Sequence, residues 1–435
     1  MTDTVAAPES DVMAELTAWL EENWDPDITV AEWWDRLGNA GWSAPTWPVE
    51  WYGKGLSRSE ANQVQTAIAD FGALPAPGGL GLMLAGPTIV DHGSDEQKDR
   101  FLQDIVTGQK SWCQLFSEPG AGSDLAGLQT KAEKDGDEWI INGQKVWTSG
   151  GQAADLGMLI ARTDADVPKH RGITYFGIDM HQDGIEVVPL KEMTGRALFN
   201  EVFITDGRVA DADCIGGYGE GWRVANTTLM HERSSLGAGG GSESSSVAMP
   251  GSVRGDLVKR VGDFVEAQNT DGAGSVNRGG SMIAELAVSS GRSTEPKVRQ
   301  DLMRLHTMNE VAKFNGLRVR AARKAGRDLP GMANIAKLSM SRILRASRDL
   351  GLELLGPRGT LHAYNGPDQK ALDAATPDGG RYNGVIEYAL FSPGPSIYGG
   401  TDEIQKNIIG ERVLGLPKEP NQDKVLPFKD LPKNG

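Results

Sequence analysis

The chain has 435 residues, enough for about three domains of average size. Its 59 acidic and 44 basic residues give a formal charge of −15, which argues against a nucleic-acid binder. No apolar run approaches the roughly 20 residues that span a bilayer, so we expect no membrane partner. The acidic N-terminus has no apolar segment, and Cys113 and Cys214 lack CxxC spacing. These features favour a protein of the reducing cytoplasm.

The first part of the chain, from residue 11 to about residue 107, has a helical hydrophobic pattern. A second amphipathic stretch runs from Ala61 to Phe71. Ser94 is a candidate N-cap for a helix that opens with acidic residues, where the helix dipole favours them. The prolines Pro45 and Pro48 exclude a long helix between these stretches.

The pattern changes to short strands from about Ser111. The stretch EWIINGQKVWTSGG alternates around Asn142–Gly143, which is typical of a β-hairpin turn. Further strands are predicted at Leu156–Arg162, Ile173–Met180, Ile185–Pro189 and Leu198–Thr205. Short strands without helical periodicity between them indicate a sandwich or barrel rather than a doubly wound sheet.

The helical pattern returns after Gly221, with long helices predicted over Val298–Ala325 and Ile335–Leu355. The fold class is therefore α+β and multidomain. We divide the chain into a helical domain, a β domain, a helical bundle and a tail, over residues 1–110, 111–215, 216–420 and 421–435.

Two Gly/Ser-rich segments, Leu236–Gly255 and Asn269–Gly280, interrupt the last helical region. One interpretation is that both are flexible surface connections. The other is that the first segment ends a helix that would otherwise continue past Arg233.

The motif most informative about function is SEPGAGSD, at Ser117–Asp124, with WTSGG at Trp147–Gly151. Glycines allow a ligand to approach the backbone closely, and the hydroxyls supply donors and acceptors. Taken alone, the first motif is also compatible with an ordinary loop. The chain has no complete GxGxxG, GxxxxGK[ST] or GxSxG motif, and its scattered histidines predict no metal site.

Six ordered motifs resemble those of the acyl-CoA dehydrogenase family, over about residues 60–416. They are GLMLAGPTIVDHGSDEQKDRFL, SEPGAGSD, INGQKVWTSGG, LFNEVFITDGRV, GEGWRVA…HER and IYGGTDEIQKNIIGERVLG. The resemblance implies a helical N-terminal domain, a central β domain and a C-terminal four-helix bundle. It also implies FAD as cofactor, an acyl-CoA substrate and an electron-transfer flavoprotein as electron acceptor.

The family reaction removes the α-proton of a CoA thioester while the β-hydride passes to FAD. It requires a base, hydrogen-bond donors to the thioester oxygen and exclusion of water. The resemblance assigns substrate contacts to Ser123, Arg233, Gly399 and Gly400. It assigns flavin contacts to Ser117, Gly122, Trp147, Thr148, Ser149, Thr401 and Glu403.

The catalytic base departs from the commonest family pattern. Many members carry a glutamate in an IYEGT pentapeptide, whereas this chain has Gly399 at that position. Glycine cannot remove a proton, although its N–H can still polarise the thioester. A second family solution places the base before an arginine on the first long C-terminal helix, which here is Glu232. The alternative is that Glu232 is an ordinary helix carboxylate, either exposed or paired with an arginine.

Further departures affect the part of the flavin site that a neighbouring subunit supplies in the family. The Phe-Gly after an arginine is missing, and Arg292 cannot be assigned that role. The usual Gln-x-Phe-Gly-Gly-x-Gly is replaced by Glu353–Gly359. This pattern is similar to subunits of heteromeric bacterial acyl-CoA dehydrogenases that act on steroid side chains, so we expect a homologous partner in an α2β2 assembly. A helix broken near Gly237 would leave room for a bulky, ring-bearing acyl group.

Two other functions stay open at this point. The chain is compatible with a non-catalytic subunit that completes a partner's flavin site. It is also compatible with a flavin oxidase or monooxygenase of the same fold, although Ser123 and the complete C-terminal motif argue against that branch.

Overall fold

The computed structural model describes residues 11–237, 248–270 and 279–432. The first α-helices within these residues are α1 (Asp11–Asn23), α2 (Val30–Asn39), α3 (Arg58–Phe71), α4 (Gly86–His92) and α5 (Asp95–Val106). Ser94 caps α5 through a capping box with Gln97, which confirms the predicted N-cap. The proline-containing connection before α3 holds only a short 3-10 turn at Val49–Trp51, so the predicted absence of a long helix is also confirmed.

Eight strands follow: β1 (Trp112–Leu115), β2 (Lys131–Asp135), β3 (Glu138–Ser149), β4 (Leu156–Arg162), β5 (Ile173–Asp179), β6 (Ile185–Leu190), β7 (Phe199–Ala210) and β8 (Cys214–Ile215). They form one sheet in the order β6-β7-β3-β2-β4-β5-β8, with β1 parallel to β4. Alternate residues of β3, β4, β5 and β7 point into one core. The β domain predicted from the sequence is therefore confirmed.

The predicted hairpin at Asn142–Gly143 is wrong, because β3 continues through both residues. The turn lies instead between β2 and β3, at Gly136, whose φ is +63°. The pairing of β3 with β7 shifts register between Ile141 and Gly143, as in a β-bulge. A side chain at position 143 would lie 2.4 Å from Thr130 Oγ1, so the glycine serves a close backbone approach.

The remaining helices are α6 (Gly221–Gly237), α7 (Val261–Thr270), α8 (Gly279–Ser289), α9 (Pro296–Lys324), α10 (Met332–Leu355), α11 (Gly366–Ala375), α12 (Asn383–Phe391) and α13 (Asp402–Ile408). The two long helices predicted from periodicity are α9 and α10. Helices α8, α9, α10 and α12 share one apolar core, as a bundle requires. Among the helices in the described part of the chain, none combines the length and apolar character of a membrane span.

Helix α6 lies between the N-terminal helices and the β domain. Val224 and Ala225 are fully buried in a core that also contains Leu84 of the N-terminal region and Tyr175 of β5. This packing fixes the helix that carries Glu232.

The chain re-enters the described structure at residue 248, against the N-terminal domain. Val261 N donates to Ile28 O at 2.9 Å, and Val30 N donates to Lys259 O at 3.0 Å. Ser252 and Ser111 both donate to the buried Asp155 carboxylate. The segment from residue 248 to Val261 thus packs against the N-terminal and β domains. Most of the predicted Gly/Ser-rich breaks, residues 238–247 and 271–278, lie outside the described residues.

Candidate active site

Glu232 lies in the last part of α6, facing the β domain. Its side chain is half-buried, and Gln114 Nε2 of β1 lies 3.5 Å from its Oε2. Gln114 is three residues before Ser117, the first residue of the SEPGAGSD motif. The structure therefore brings the predicted base next to the strand that leads into the predicted flavin loop.

Burial raises the pKa of Glu232, and the hydrogen bond from Gln114 and the charge of Arg233 only partly oppose this shift. Burial lowers the pKa of Arg233, with Glu232 opposing the shift and Arg412 adding to it. Arg412 belongs to the C-terminal GERVLG motif, so charged residues of α6 and of this motif lie close together. A carboxylate with a raised pKa beside a cation is a typical general base.

The end of β3 has unusual local geometry. Trp147 has a left-handed φ of +62°, and its side chain is 61% exposed. Its ring contacts only the edge of Phe199 among the aromatic rings of the described residues. A bulky residue rarely adopts this conformation, so the strand holds the indole on the surface against a local cost. An exposed, strained aromatic ring is suited to contact a planar ligand.

Next to it, Thr148 is fully buried, and its Oγ1 has no hydrogen-bond partner in the described part of the structure. Buried polar atoms normally have a partner, so a missing ligand atom is one explanation. This orphaned oxygen and the exposed indole fit a bound flavin. Ser149 ends the same strand and is half-buried.

The SEPGAGSD loop is closed by a buried ion pair. Glu118 Oε1 lies 2.8 Å from Lys145 Nζ, and both side chains are almost fully buried. The same carboxylate accepts the backbone N–H groups of Gln129 and Thr130, at 2.6 and 2.9 Å. Since Ser117 O also accepts Val146 N, the first two residues of the loop are fixed to β3, and Glu118 also holds the residues that precede β2. Gly122 and Ser123 lie on the exposed part of this loop.

The C-terminal turn is held by Gln405. Its Nε2 donates to Gly399 O at 3.0 Å and Gly400 O at 3.3 Å, while its Oε1 accepts from Asn334 at 2.6 Å. Both glycines have positive φ, 63° and 83°, a region that few side chains tolerate. Thr401 caps α13 by accepting Ile404 N.

Glu403 differs from its neighbours in the C-terminal turn because its side chain is exposed. Its carboxylate lies 3.5 Å from Lys406 Nζ. Within this chain it therefore faces outwards, and its predicted flavin contact stays a prediction.

The arginines in the segments that depart from the family pattern form ion pairs with carboxylates of the same chain. Arg292 donates to Glu353 O at 2.7 Å and pairs with Glu295 at 2.9 Å. Arg358 forms a two-bond pair with Asp378. These arginines already have anionic partners of their own, which makes them poor candidates for gripping a neighbour's pyrophosphate.

Sequence reasoning missed Gln114, Gln405 and the Glu118–Lys145 pair. Lys145 interrupts the apolar side of β3, and a charged residue in a buried strand position is a signal of a buried partner. No local signal identifies Gln114, because its contact with Glu232 joins positions 118 residues apart.

Comparison with known proteins identifies the family. Three family models match: "Acyl-CoA dehydrogenase, N-terminal domain" over residues 6–109, "middle domain" over 113–206 and "C-terminal domain" over 289–414. The chain is 34% identical over 390 residues to "Acyl-CoA dehydrogenase IpdE1" of Mycobacterium tuberculosis, covering 89% of this chain and 88% of that protein.

Solved structures agree with this result. The "Tcur3481-Tcur3483 steroid ACAD" has a TM-score of 0.66 and 25% identity, with 94% of this chain and 97% of that chain covered. The "ChsE4-ChsE5 complex from Mycobacterium tuberculosis" has a TM-score of 0.60 and 27% identity, with 95% and 100% covered. The chain belongs to the acyl-CoA dehydrogenase family, whose members are FAD-dependent oxidoreductases that act on acyl-CoA.

Proposed function

We propose that the chain catalyses α,β-dehydrogenation of a CoA thioester with Glu232 as the base. The observation that carries the proposal is the half-buried Glu232 carboxylate beside Gln114, with a pKa raised by burial. Position 399, where many relatives carry the base, is a glycine held in a positive-φ turn. Glu232 is thus the carboxylate with the burial and location that the reaction requires.

Bound FAD supplies the hydride acceptor. In this proposal Trp147, Thr148 and Ser149 hold its ring system, together with Ser117, Gly122, Thr401 and Glu403. Glu232 takes the α-proton, and Arg233 stabilises the carboxylate beforehand. The N–H groups of Gly399 and Gly400 donate to the thioester oxygen, a task that requires only backbone. Ser123 contacts the CoA moiety from the exposed loop.

Replacing Glu232 by Gln tests the proposal. Glu232→Gln keeps the size and the Gln114 contact but removes the proton acceptor, so we expect kcat to fall by at least about 100-fold with FAD content unchanged. Glu220→Gln is the matched control, since Glu220 lies just before α6 and pairs with Arg223 on the surface. Undiminished turnover by Glu232→Gln in the assembled enzyme would contradict the assignment.

We further propose that the partner is a homologous subunit in an α2β2 assembly. Helix α9 exposes large apolar side chains on the side away from its buried residues Val298 and Leu305: Met303, Val311, Phe314 and Leu317. Several large apolar side chains exposed on one side of a helix favour burial against another subunit. Two of the similar solved structures are named as paired chains, Tcur3481-Tcur3483 and ChsE4-ChsE5, which supports an unlike partner.

A bulky, steroid-type acyl group is the proposed substrate class. The sequence beyond Glu232 becomes Gly/Ser-rich from Leu236, a composition that disfavours a continuing helix. The similarity to a protein named as a steroid ACAD supports the same class. Turnover of a straight-chain thioester faster than any polycyclic thioester would count against it.

We also propose an electron-transfer flavoprotein as acceptor and a cytoplasmic location, the latter supported by two free cysteines.

A second candidate is a subunit that only completes a partner's flavin site. The missing carboxylate at Gly399 favours it, whereas the internal ion pairs of Arg292 and Arg358 count against it. Full activity of the Glu232→Gln complex would select this function over the first.

A further inference from the structure

The C-terminal segment Asp423–Asp430 lies on the connection between β4 and β5. Phe428 N donates to Val167 O at 2.9 Å, and Lys429 N donates to Ala165 O at 3.0 Å. These two backbone bonds fix the segment to the β domain, more than 200 residues away in sequence. We call this segment the C-terminal brace.

Beneath the brace lies a buried arginine. Arg162 is 4% exposed, and its guanidinium donates to the carbonyls of Ala126 at 2.6 Å and Leu128 at 3.2 Å. The Phe428 ring covers this group, with its centroid 3.7 Å from the guanidinium carbon. Burial lowers the pKa of Arg162 to about 10, so it stays charged at neutral pH. The ring therefore shields a cation–carbonyl network from water.

A buried lysine, Lys169, forms a second contact between the brace and the β domain. Lys169 Nζ donates to both Asp124 carboxylate oxygens, at 2.9 and 3.0 Å, and lies 2.7 Å from Asp423 Oδ2. Burial by itself lowers the pKa of Lys169, but hydrogen bonds to Asp423 and Asp124 outweigh it and raise the pKa. One lysine thus joins the brace to the SEPGAGSD motif.

The two cations bind groups that lie directly after Gly122 and Ser123 in the sequence. Lys169 binds the Asp124 side chain, and Arg162 binds the backbone carbonyls of Ala126 and Leu128. Asp124 is the last residue of the motif, and Ala126 and Leu128 follow it. Without the brace, water would compete for the cations, and their hold on the loop would weaken because charged hydrogen bonds lose strength in a high dielectric.

We propose that Asp423 and Phe428 are positioning residues that hold the Ser117–Asp124 loop in the conformation that binds CoA. The inference rests on the proposed function, which assigns Ser123 of that loop to the CoA moiety. Neither residue touches substrate; each acts through a buried cation.

The test uses the full-length protein, or its complex with the partner subunit, and the variants Phe428→Ala and Asp423→Asn. We expect faster deuterium uptake in peptides covering residues 117–130 and a dissociation constant for coenzyme A about fivefold higher, measured by calorimetry. Phe428→Tyr keeps the ring and should behave like wild type. Lys429→Gln removes an exposed ion pair with Asp166 and serves as control.

Unchanged uptake in residues 117–130 for both variants would overturn the inference. Faster uptake with an unchanged coenzyme A affinity would also overturn it, because the brace would then have no effect on binding. If the wild type binds no coenzyme A but Phe428→Ala still exchanges faster, the proposed function fails while the brace itself is supported.

Discussion

Glu232 and Trp147 both occupy positions that cost the fold stability. Burial disfavours the Glu232 carboxylate, and Trp147 adopts a backbone conformation that bulky residues avoid. Functional sites often combine such costs, because a ligand benefits from groups that the folded protein alone leaves unsatisfied. The buried Thr148 hydroxyl, without a partner among the described residues, belongs to the same group.

The pH dependence of turnover should report Glu232. The base acts only when deprotonated, and burial raises its pKa, so the acidic limb of kcat should lie above the range of an ordinary glutamate. The measurement is kcat against pH with saturating thioester. A limb at the ordinary position of an exposed glutamate would contradict this assignment.

Glu232→Gln should also stabilise the fold once the pH exceeds the ordinary pKa of a glutamate. A raised pKa in the folded state means that folding favours the protonated form, so the wild type loses stability as pH rises through that pKa. Glutamine carries no charge and avoids the loss. Thermal unfolding should therefore show a Tm advantage for the variant that grows with pH, whereas Glu220→Gln should show none. A Tm advantage that shrinks with rising pH would contradict a raised pKa of Glu232 in the folded protein.

At the scale of single elements, close packing around β3 explains both the wrong hairpin and the site geometry. An Asn-Gly pair usually signals a turn, but here the glycine admits the Thr130 backbone next to the strand. Glu118, in the loop that follows β1, pairs with Lys145 of β3 and so holds that loop against the strand. A second register shift between β3 and β7, from Lys145 to Thr148, contains Trp147, and the ion pair of Lys145 lies at its start.

Gly143→Ala tests this packing. The added Cβ would lie 2.7 Å from the Thr130 Cα, and backbone cannot move aside easily. We expect a loss of about 1–3 kcal/mol in the free energy of unfolding, measured with urea. Gly384→Ala, at a helical position with open space around it, should be neutral or slightly stabilising. Equal stability of the two variants would show that β3 tolerates a side chain at position 143.

At the scale of the whole molecule, the C-terminal region carries both the proposed subunit contact and the brace beside the candidate site. Helices α8, α9, α10 and α12 share a core, yet α9 keeps an apolar face outside it. The chain then returns to the β domain through the C-terminal brace. The C-terminal region thus contains the proposed subunit contact on α9, and its brace lies beside the loop that carries Ser123.

Phe314→Glu should weaken association with the partner. The Phe314 side chain is 60% exposed on α9, and a charge there would oppose burial against another subunit. We expect sedimentation of the coexpressed chains to shift from a tetramer towards smaller species, and FAD content per chain to fall. Val258→Glu is the control, because Val258 is 79% exposed but lies beside the N-terminal domain. An unchanged tetramer would exclude this face from the interface.

The sequence alone determined the order of helices and strands, the candidate base and the family, because these depend on periodicity, on short motifs and on the missing carboxylate at position 399. The domain limits and the roles of the site residues stay predictions. Only the tertiary structure decided that Gln114 meets Glu232, that Lys145 neutralises Glu118 and that Phe428 covers Arg162. Each of these contacts joins residues distant in sequence. Local patterns carry no information about such pairs, because the packing of helices and sheet strands determines which side chains meet.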